Sequence, residues 1–199
     1  VLFLLLLLFL KNVDVQPVGP EGSLVGFAGI NSSFHNMFGY QAWLYKATGY
    51  AGYLALLVAA GFGLYGIIQL IRRKHLSEVD PDLFLLAGLY VVVLVLYVLF
   101  EKIVINYRPV ILEDGLEASF PSSHTMMAIC ILVPAMEQFR RRLRSPWRTP
   151  AVILSGILLA VIVLGRLLSG VHWLTDILAS ILLSTGLVLL YQSFVDDVT

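Results

Sequence analysis

The chain has 199 residues, of which 59% are hydrophobic and 13% charged, and its formal net charge is zero. Soluble domains carry about 25% charged residues. With a mean hydropathy of +0.88, this composition excludes an ordinary water-soluble domain and indicates an integral membrane protein. The balanced charge excludes a basic nucleic-acid-binding surface. Cys130 is the single cysteine of this sequence, so it has no partner here for a disulfide, and its place inside an apolar run suits a packed or lipid-facing thiol.

Residues 1–10 are apolar throughout but supply only part of the roughly 20 residues that a membrane helix needs. They lack the basic flank and small-residue cleavage site of a signal peptide. They are expected to form the outer part of a first span that begins before this sequence. Residues 11–47 then read as an extracytoplasmic loop. Pro17, Gly19, Pro20, Gly22, Gly26 and Gly29 break any early helix there. A helix is expected to start at Asn31-Ser32-Ser33, each a good N-cap. Phe34, Met37, Phe38 and Tyr45 would share a stripe, with Tyr40 and Trp43 nearby, a density that suits an interfacial helix. Such a segment either packs at the membrane surface or covers a site. His35 is expected to be solvated or interfacial.

Five apolar runs follow, at residues 50–71, 83–105, 124–139, 150–168 and 174–194. The third is short and holds Pro134, expected to kink it. Together with the first run they make a six-span bundle. No internal repeat divides the chain, so residues 1–199 are expected to form one all-α, membrane-embedded domain. Arg72, Arg73 and Lys74 follow the second span, and Arg140, Arg141, Arg142, Arg144 and Arg148 follow the fourth. The positive-inside rule assigns both loops to the cytoplasm, and the basic run at 140–144 reads as a topology signal at an anionic leaflet. His75 lies on that side, as do Asp196 and Asp197 in the tail. Lys11, Lys46, Lys102, Arg108 and Arg166 then fall near the opposite, extracytoplasmic face.

Three polar clusters meet on that face. Lys102, Asn106, Arg108 and Pro109 end the third span. Pro121, Ser122, Ser123 and His124 start the fourth. Gly165, Arg166, His172 and Asp176 join the fifth to the sixth. Ionisable residues at membrane depth are expensive and normally face protein or water. His172 and Asp176 are four apart, which on a helix puts them on one face about 6 Å apart along the axis. That spacing suits a carboxylate holding an imidazole in one tautomer. It equally suits a helix end with a snorkelling arginine and a capped histidine. Lys102, Arg108 and Arg166 together offer three positive charges to a dianionic group. The helix start around Ser122 and Ser123 offers backbone N–H groups to an anion. His124 is placed to carry a proton, and His172 to act as nucleophile or base.

These clusters resemble the signature of the type 2 phosphatidic acid phosphatase superfamily, the lipid phosphate phosphatases. That signature runs Lys-x6-Arg-Pro, then Pro-Ser-Gly-His, then Ser-Arg-x5-His-x3-Asp. The third motif is met by Arg166, His172 and Asp176, with Gly165 where the family has serine. The second is met by Pro121, Ser122 and His124, with Ser123 in place of glycine. The first is met by Arg108 and Pro109. Lys102 is one residue too close to Arg108, and Glu101 stands where the family's lysine would be. A one-residue shift turns a helical side chain by about 100°, so Lys102 either reaches the phosphate along its flexible stem or pairs elsewhere.

The resemblance implies a membrane lipid phosphatase. His172 would attack phosphorus, with Asp176 orienting its ring. His124 would protonate the leaving oxygen and then activate water. Arg108, Arg166, Lys102 and the groups at Ser122 and Ser123 would stabilise the transition state. The implied substrates are lipid phosphates or diphosphates: undecaprenyl diphosphate, phosphatidylglycerophosphate, phosphatidic acid or diacylglycerol diphosphate. The basic-loop pattern and the short chain suggest a bacterial cell membrane, which favours the first two. No cofactor is implied. Zinc on His124, His172 and Asp176 is disfavoured by the surrounding cations. Two alternatives are a non-catalytic lipid-phosphate binding or transport protein and a haloperoxidase-like enzyme, the latter family being soluble. Glu113, Asp114 and Glu117, in the outer loop, are expected to be solvated or to tune headgroup selection.

Overall fold

A backbone in hydrocarbon must satisfy its own hydrogen bonds, and in this chain it does so as helices. The computed structural model describes residues 1–113 and 115–198, so Asp114 lies outside the described residues. Among the described residues there are seven α-helices: α1 (Leu2–Leu10), α2 (Ala28–Phe38), α3 (Ala42–Arg73), α4 (Pro81–Lys102), α5 (Ser123–Arg142), α6 (Arg148–Leu168) and α7 (Leu174–Val198). Among the described residues, α3, α4, α6 and α7 are long and apolar enough to cross a membrane. The protein is therefore a multi-pass membrane protein of all-helical class, with no strand longer than an isolated bridge among the described residues. Large apolar side chains such as Leu57, Ile67, Val91, Leu94, Leu154 and Leu189 cover its outside, as a lipid solvent requires.

The expected run at 124–139 becomes α5. It is too polar for a free-standing span, yet it packs against α3, α4, α6 and α7. Its Ala128, Cys130, Leu132, Ala135 and Gln138 are each 1% exposed or less. The bundle is thus arranged around its least apolar helix. The helix continues through Pro134 without interruption. The first run, α1, packs on α7 and contributes Phe3, Leu6, Leu7 and Leu10 to a cluster with Phe100, Phe120 and Ala179.

Two boundaries differ from the sequence expectation. Helix α2 begins at Ala28 and not at Asn31, because Asp14, 15 residues upstream, accepts from the N–H of Gly29 at 2.7 Å and serves as a remote cap. Asn31 is consequently inside the helix and fully buried. It donates to Gly26 O (2.8 Å) and Thr175 Oγ1 (3.0 Å) and accepts from Thr175 N (3.2 Å), tying α2 to the first turn of α7. The second difference is a break at Gly39, whose φ of +61° ends α2. The aromatic stripe is therefore split, and Trp43 and Tyr45 open α3. That helix has 32 residues, about 48 Å at 1.5 Å per residue, which exceeds the roughly 30 Å hydrocarbon core.

The two basic loops share one end of the bundle. There Arg142 forms a bidentate pair with Asp82, at 2.7 Å and 2.9 Å, and reaches Asp80 at 3.3 Å. Arg73 and Gln69 also bind Asp80, at 2.9 Å and 2.7 Å. Gln138 joins Asp82 (3.1 Å) to Tyr191 (2.9 Å). This network links α3, α4, α5 and α7. Removing the Asp82 carboxylate leaves the Arg142 charge without its main partner, a loss of roughly 3 kcal/mol. Asp82→Ala is therefore expected to lower the unfolding midpoint in detergent. Activity per folded molecule should be retained, because the network lies at the end opposite His172.

Candidate active site

The opposite end is assembled from three segments with little in common in sequence: the loop after α4, the start of α5 and the α6–α7 loop. Each is fixed by the need to satisfy polar groups that are cut off from water. The loop after α4 doubles back through an isolated bridge between Tyr107 and Ala118, closed by Ser119 N to Asn106 O at 2.9 Å and Arg108 N to Glu117 O at 3.0 Å. Helix α5 starts at a cap in which Ser122 Oγ accepts from Thr125 N at 3.5 Å and donates to Thr125 Oγ1 at 3.1 Å. Helix α7 starts at Leu174, and Asp176 in its first turn accepts from Trp173 N at 3.0 Å, the reciprocal half of a capping box.

Asp176 is fully buried. Besides Trp173 N, its carboxylate accepts from Ser119 Oγ at 2.5 Å and from Asn106 Nδ2 at 3.2 Å. Its backbone carbonyl accepts from Ser122 N (3.3 Å) and Ser180 Oγ (2.9 Å). One residue thus binds the outer loop to the starts of α5 and α7.

His172 is 3% exposed. Its Nδ1 lies 3.1 Å from Ser119 O, 3.1 Å from Ser119 Oγ and 3.9 Å from Asp176 Oδ2. The direct carboxylate–imidazole contact expected from the four-residue spacing is therefore not made. His172 lies in the loop before α7, outside the helix, so helical spacing does not govern it. Ser119 stands between the two side chains. A carbonyl only accepts, so Nδ1 carries the proton, and Nε2 is left with its lone pair and no protein partner. Burial pushes the imidazole well below its ordinary pKa, with Arg108, Arg166 and His124 adding to the effect. His172 is accordingly neutral, the state a nitrogen nucleophile requires.

Arg108 and Arg166 are 9% and 1% exposed. Their guanidinium carbons lie 5.9 Å and 4.8 Å from the centre of the Tyr45 ring, so one aromatic ring from α3 contacts both. Arg108 pairs with Glu117 through one Nη at 2.9 Å. The remaining Nε and Nη1 of both arginines are buried without a protein partner, as are His124 Nδ1 and His172 Nε2. Buried donors without partners are costly. Such a concentration of them fits an oxyanion of phosphate size.

The other expected site residues fall as follows. His124 and Ser123 sit in the first turn of α5, with Ser123 lining the cavity beside Arg108, Ser119 and His172. Ser122 does not face it: its hydroxyl is engaged with Thr125 and its N–H with the Asp176 carbonyl. Lys102 is exposed and is not among the cavity-lining residues, whereas Glu101 is. The one-residue register shift explains this, since it turns the two side chains about 100° apart. Glu117 is not simply solvated, because it pairs with Arg108. At Gly165, an added Cβ would lie 2.3 Å from Thr48 Cγ2. Helices α6 and α3 approach too closely for the family's serine to fit. At Gly170 a Cβ would fall 2.0 Å from Gly39 O, and φ is +68°, so glycine also seats the loop carrying His172.

Ser119 and Tyr45 are residues that the sequence did not single out as part of the site, and Asn106, named in the first polar cluster, was given no role there. Ser119 meets His172 across 53 positions of chain, and no periodicity reports a contact of that kind.

A family model described as the PAP2 superfamily matches residues 51–199. Among solved structures, the chain is similar to the crystal structure of the first transmembrane PAP2 type phosphatidylglycerolphosphate phosphatase from Bacillus subtilis. The two are 19% identical, with a TM-score of 0.71, over 100% of this chain and 94% of the other. No curated protein sequence matches the chain.

Ser119→Ala removes a donor to Asp176 but keeps the carbonyl that holds His172 Nδ1. Turnover in a phosphate-release assay should fall by roughly 10- to 100-fold, as for other groups that orient a functional side chain. Lys102→Ala, by contrast, should stay within about twofold of the parent protein, as exposed substitutions do.

Proposed function

The chain belongs to the PAP2 superfamily, and we propose that it is a lipid phosphatase acting on the extracytoplasmic face of a bacterial cell membrane. The observation that carries this reading is the set of unpartnered nitrogens of His172, His124, Arg108 and Arg166 at one end of a membrane bundle. The sidedness follows from the basic loops at the other end. The substrate is a lipid bearing a terminal phosphate, of the kind found in phosphatidylglycerophosphate, phosphatidic acid, diacylglycerol diphosphate or undecaprenyl diphosphate.

The proposed reaction has two steps. His172 Nε2 attacks phosphorus in line, forming a P–N bond as the bond from phosphorus to the lipid oxygen breaks. The proton stays on Nδ1, which donates it in a hydrogen bond to the Ser119 carbonyl, and the Ser119–Asp176 pair stabilises the positive charge that develops on the ring. His124 gives its proton to the departing oxygen. The neutralised His124 then takes a proton from water, which attacks phosphorus and releases inorganic phosphate from His172. The Arg108 and Arg166 guanidiniums, with the start of α5 near Ser123, stabilise the equatorial oxygens through both steps. No metal enters this scheme. As a ligand, Asp176 would have to give up hydrogen bonds from Ser119, Asn106 and Trp173, and two guanidiniums repel a cation.

Phosphate release from a panel of lipid phosphates in detergent tests the proposal. The parent protein should turn over at least one substrate, keep its activity in a strong chelator and be inhibited by vanadate. His172→Ala should be inactive, and Asp176→Asn impaired but measurable. Full activity in His172→Ala, or activity lost to the chelator and restored by zinc, would refute the scheme.

A further inference from the structure

The cavity next to His172 is bounded by Arg108, Ser119, Pro121 and Ser123 on one side and by Tyr97, Phe100 and Glu101 on another. The last three come from the end of α4. Glu101 thus brings a carboxylate to the position where the resemblance calls for a lysine, and Lys102 is turned away from it. The sign of the charge at the cavity edge is therefore inverted. Two further features act in the same direction. Arg108 already pairs with Glu117 at 2.9 Å, which offsets part of its charge. The carbonyl end of α4, the negative end of its dipole, lies at the same edge.

A phosphate held by Arg166, Arg108 and the start of α5 is well served, but a second phosphate immediately beyond it is not. A monoester lipid follows its phosphate with neutral glycerol or hydrocarbon. On an approach past the end of α4, a diphosphate lipid brings its inner phosphate to the cavity edge that Glu101 lines. A carboxylate and a phosphate brought side by side repel, which discriminates by roughly tenfold or more. We propose that Glu101 is a specificity-determining residue that admits lipid phosphate monoesters and selects against lipid diphosphates. This inference rests on the phosphatase reading above and narrows its substrate class.

The test uses a prenyl monophosphate and a prenyl diphosphate of equal chain length, so that the second phosphate is the sole difference. The kcat/KM ratio of monophosphate to diphosphate is measured in one detergent for the parent protein, Glu101→Gln, Glu101→Lys and Lys102→Ala. Glu101 is exposed at a helix end, so its substitutions leave the packed bundle intact. The parent should favour the monophosphate. The ratio should fall about tenfold in Glu101→Gln and further in Glu101→Lys, and Lys102→Ala should leave it unchanged. A parent that favours the diphosphate, or a ratio indifferent to both Glu101 substitutions, overturns the proposal.

If the parent hydrolyses neither prenyl lipid, the phosphatase reading is decided by the lipid-phosphate panel above and fails only if no member of that panel is turned over. The role of Glu101 is then read from thermal stabilisation by orthophosphate against pyrophosphate. A gain for pyrophosphate in Glu101→Lys upholds that role, and equal responses in the two proteins overturn it.

Discussion

A carboxylate sealed inside a membrane protein must be saturated with donors or it destabilises the fold, and Asp176 is saturated by Ser119, Asn106 and Trp173. Those three donors belong to the outer loop and to the turn that starts α7. The carbonyl of the same residue takes the N–H of Ser122 at the start of α5. The demands of one buried charge therefore set the relative positions of the three segments that carry the polar site. His172 is placed as a consequence. Its ring is held by the carbonyl of Ser119, whose hydroxyl is committed to Asp176, so the carboxylate orients the imidazole through an intermediary.

A second polar network, Arg142 with Asp82 and Asp80, closes the other end of the bundle. Between the two, α5 runs through the centre with Thr125 and Gln138 buried near its ends and Ala128, Cys130, Leu132 and Ala135 buried between them, while the other helices face lipid. Hydrocarbon gives helices little reason to associate with one another. The buried polar contacts at both ends therefore do much of what a hydrophobic core does in water. Small residues allow the close approaches that those contacts need. Gly165 against Thr48 is the clearest instance, and it gives a packing reason for the absence of a serine at that position.

Much of the architecture was legible in the sequence, because hydropathy and the distribution of arginine report directly on membrane spans. The five apolar runs became α3 to α7, and Arg108, His124, Arg166, His172 and Asp176 came from motif order. What escaped was whatever depends on a distant partner. The remote cap from Asp14 moved the start of α2, and Asn31, read as a cap, instead anchors α7. The spacing of His172 and Asp176 implied a helical face, but a helix that begins at Leu174 excludes His172 from it. Ser119 carried no signal, since its contacts lie more than 50 residues away. The Lys102 shift was visible in the sequence. Only the course of α4 made its consequence plain, with Glu101 at the cavity and the lysine outside it.

The central claim of the proposed mechanism is that the unprotonated Nε2 of His172 forms the bond to phosphorus. The most direct measurement is rapid acid-free quenching of the protein with a lipid phosphate labelled in its terminal phosphoryl group, followed by mapping of the label by mass spectrometry. The account predicts an alkali-stable, acid-labile phosphoryl group on His172. Label on His124, or turnover with phosphorus passing straight to water and no phosphorylated residue at any quench time, would contradict it.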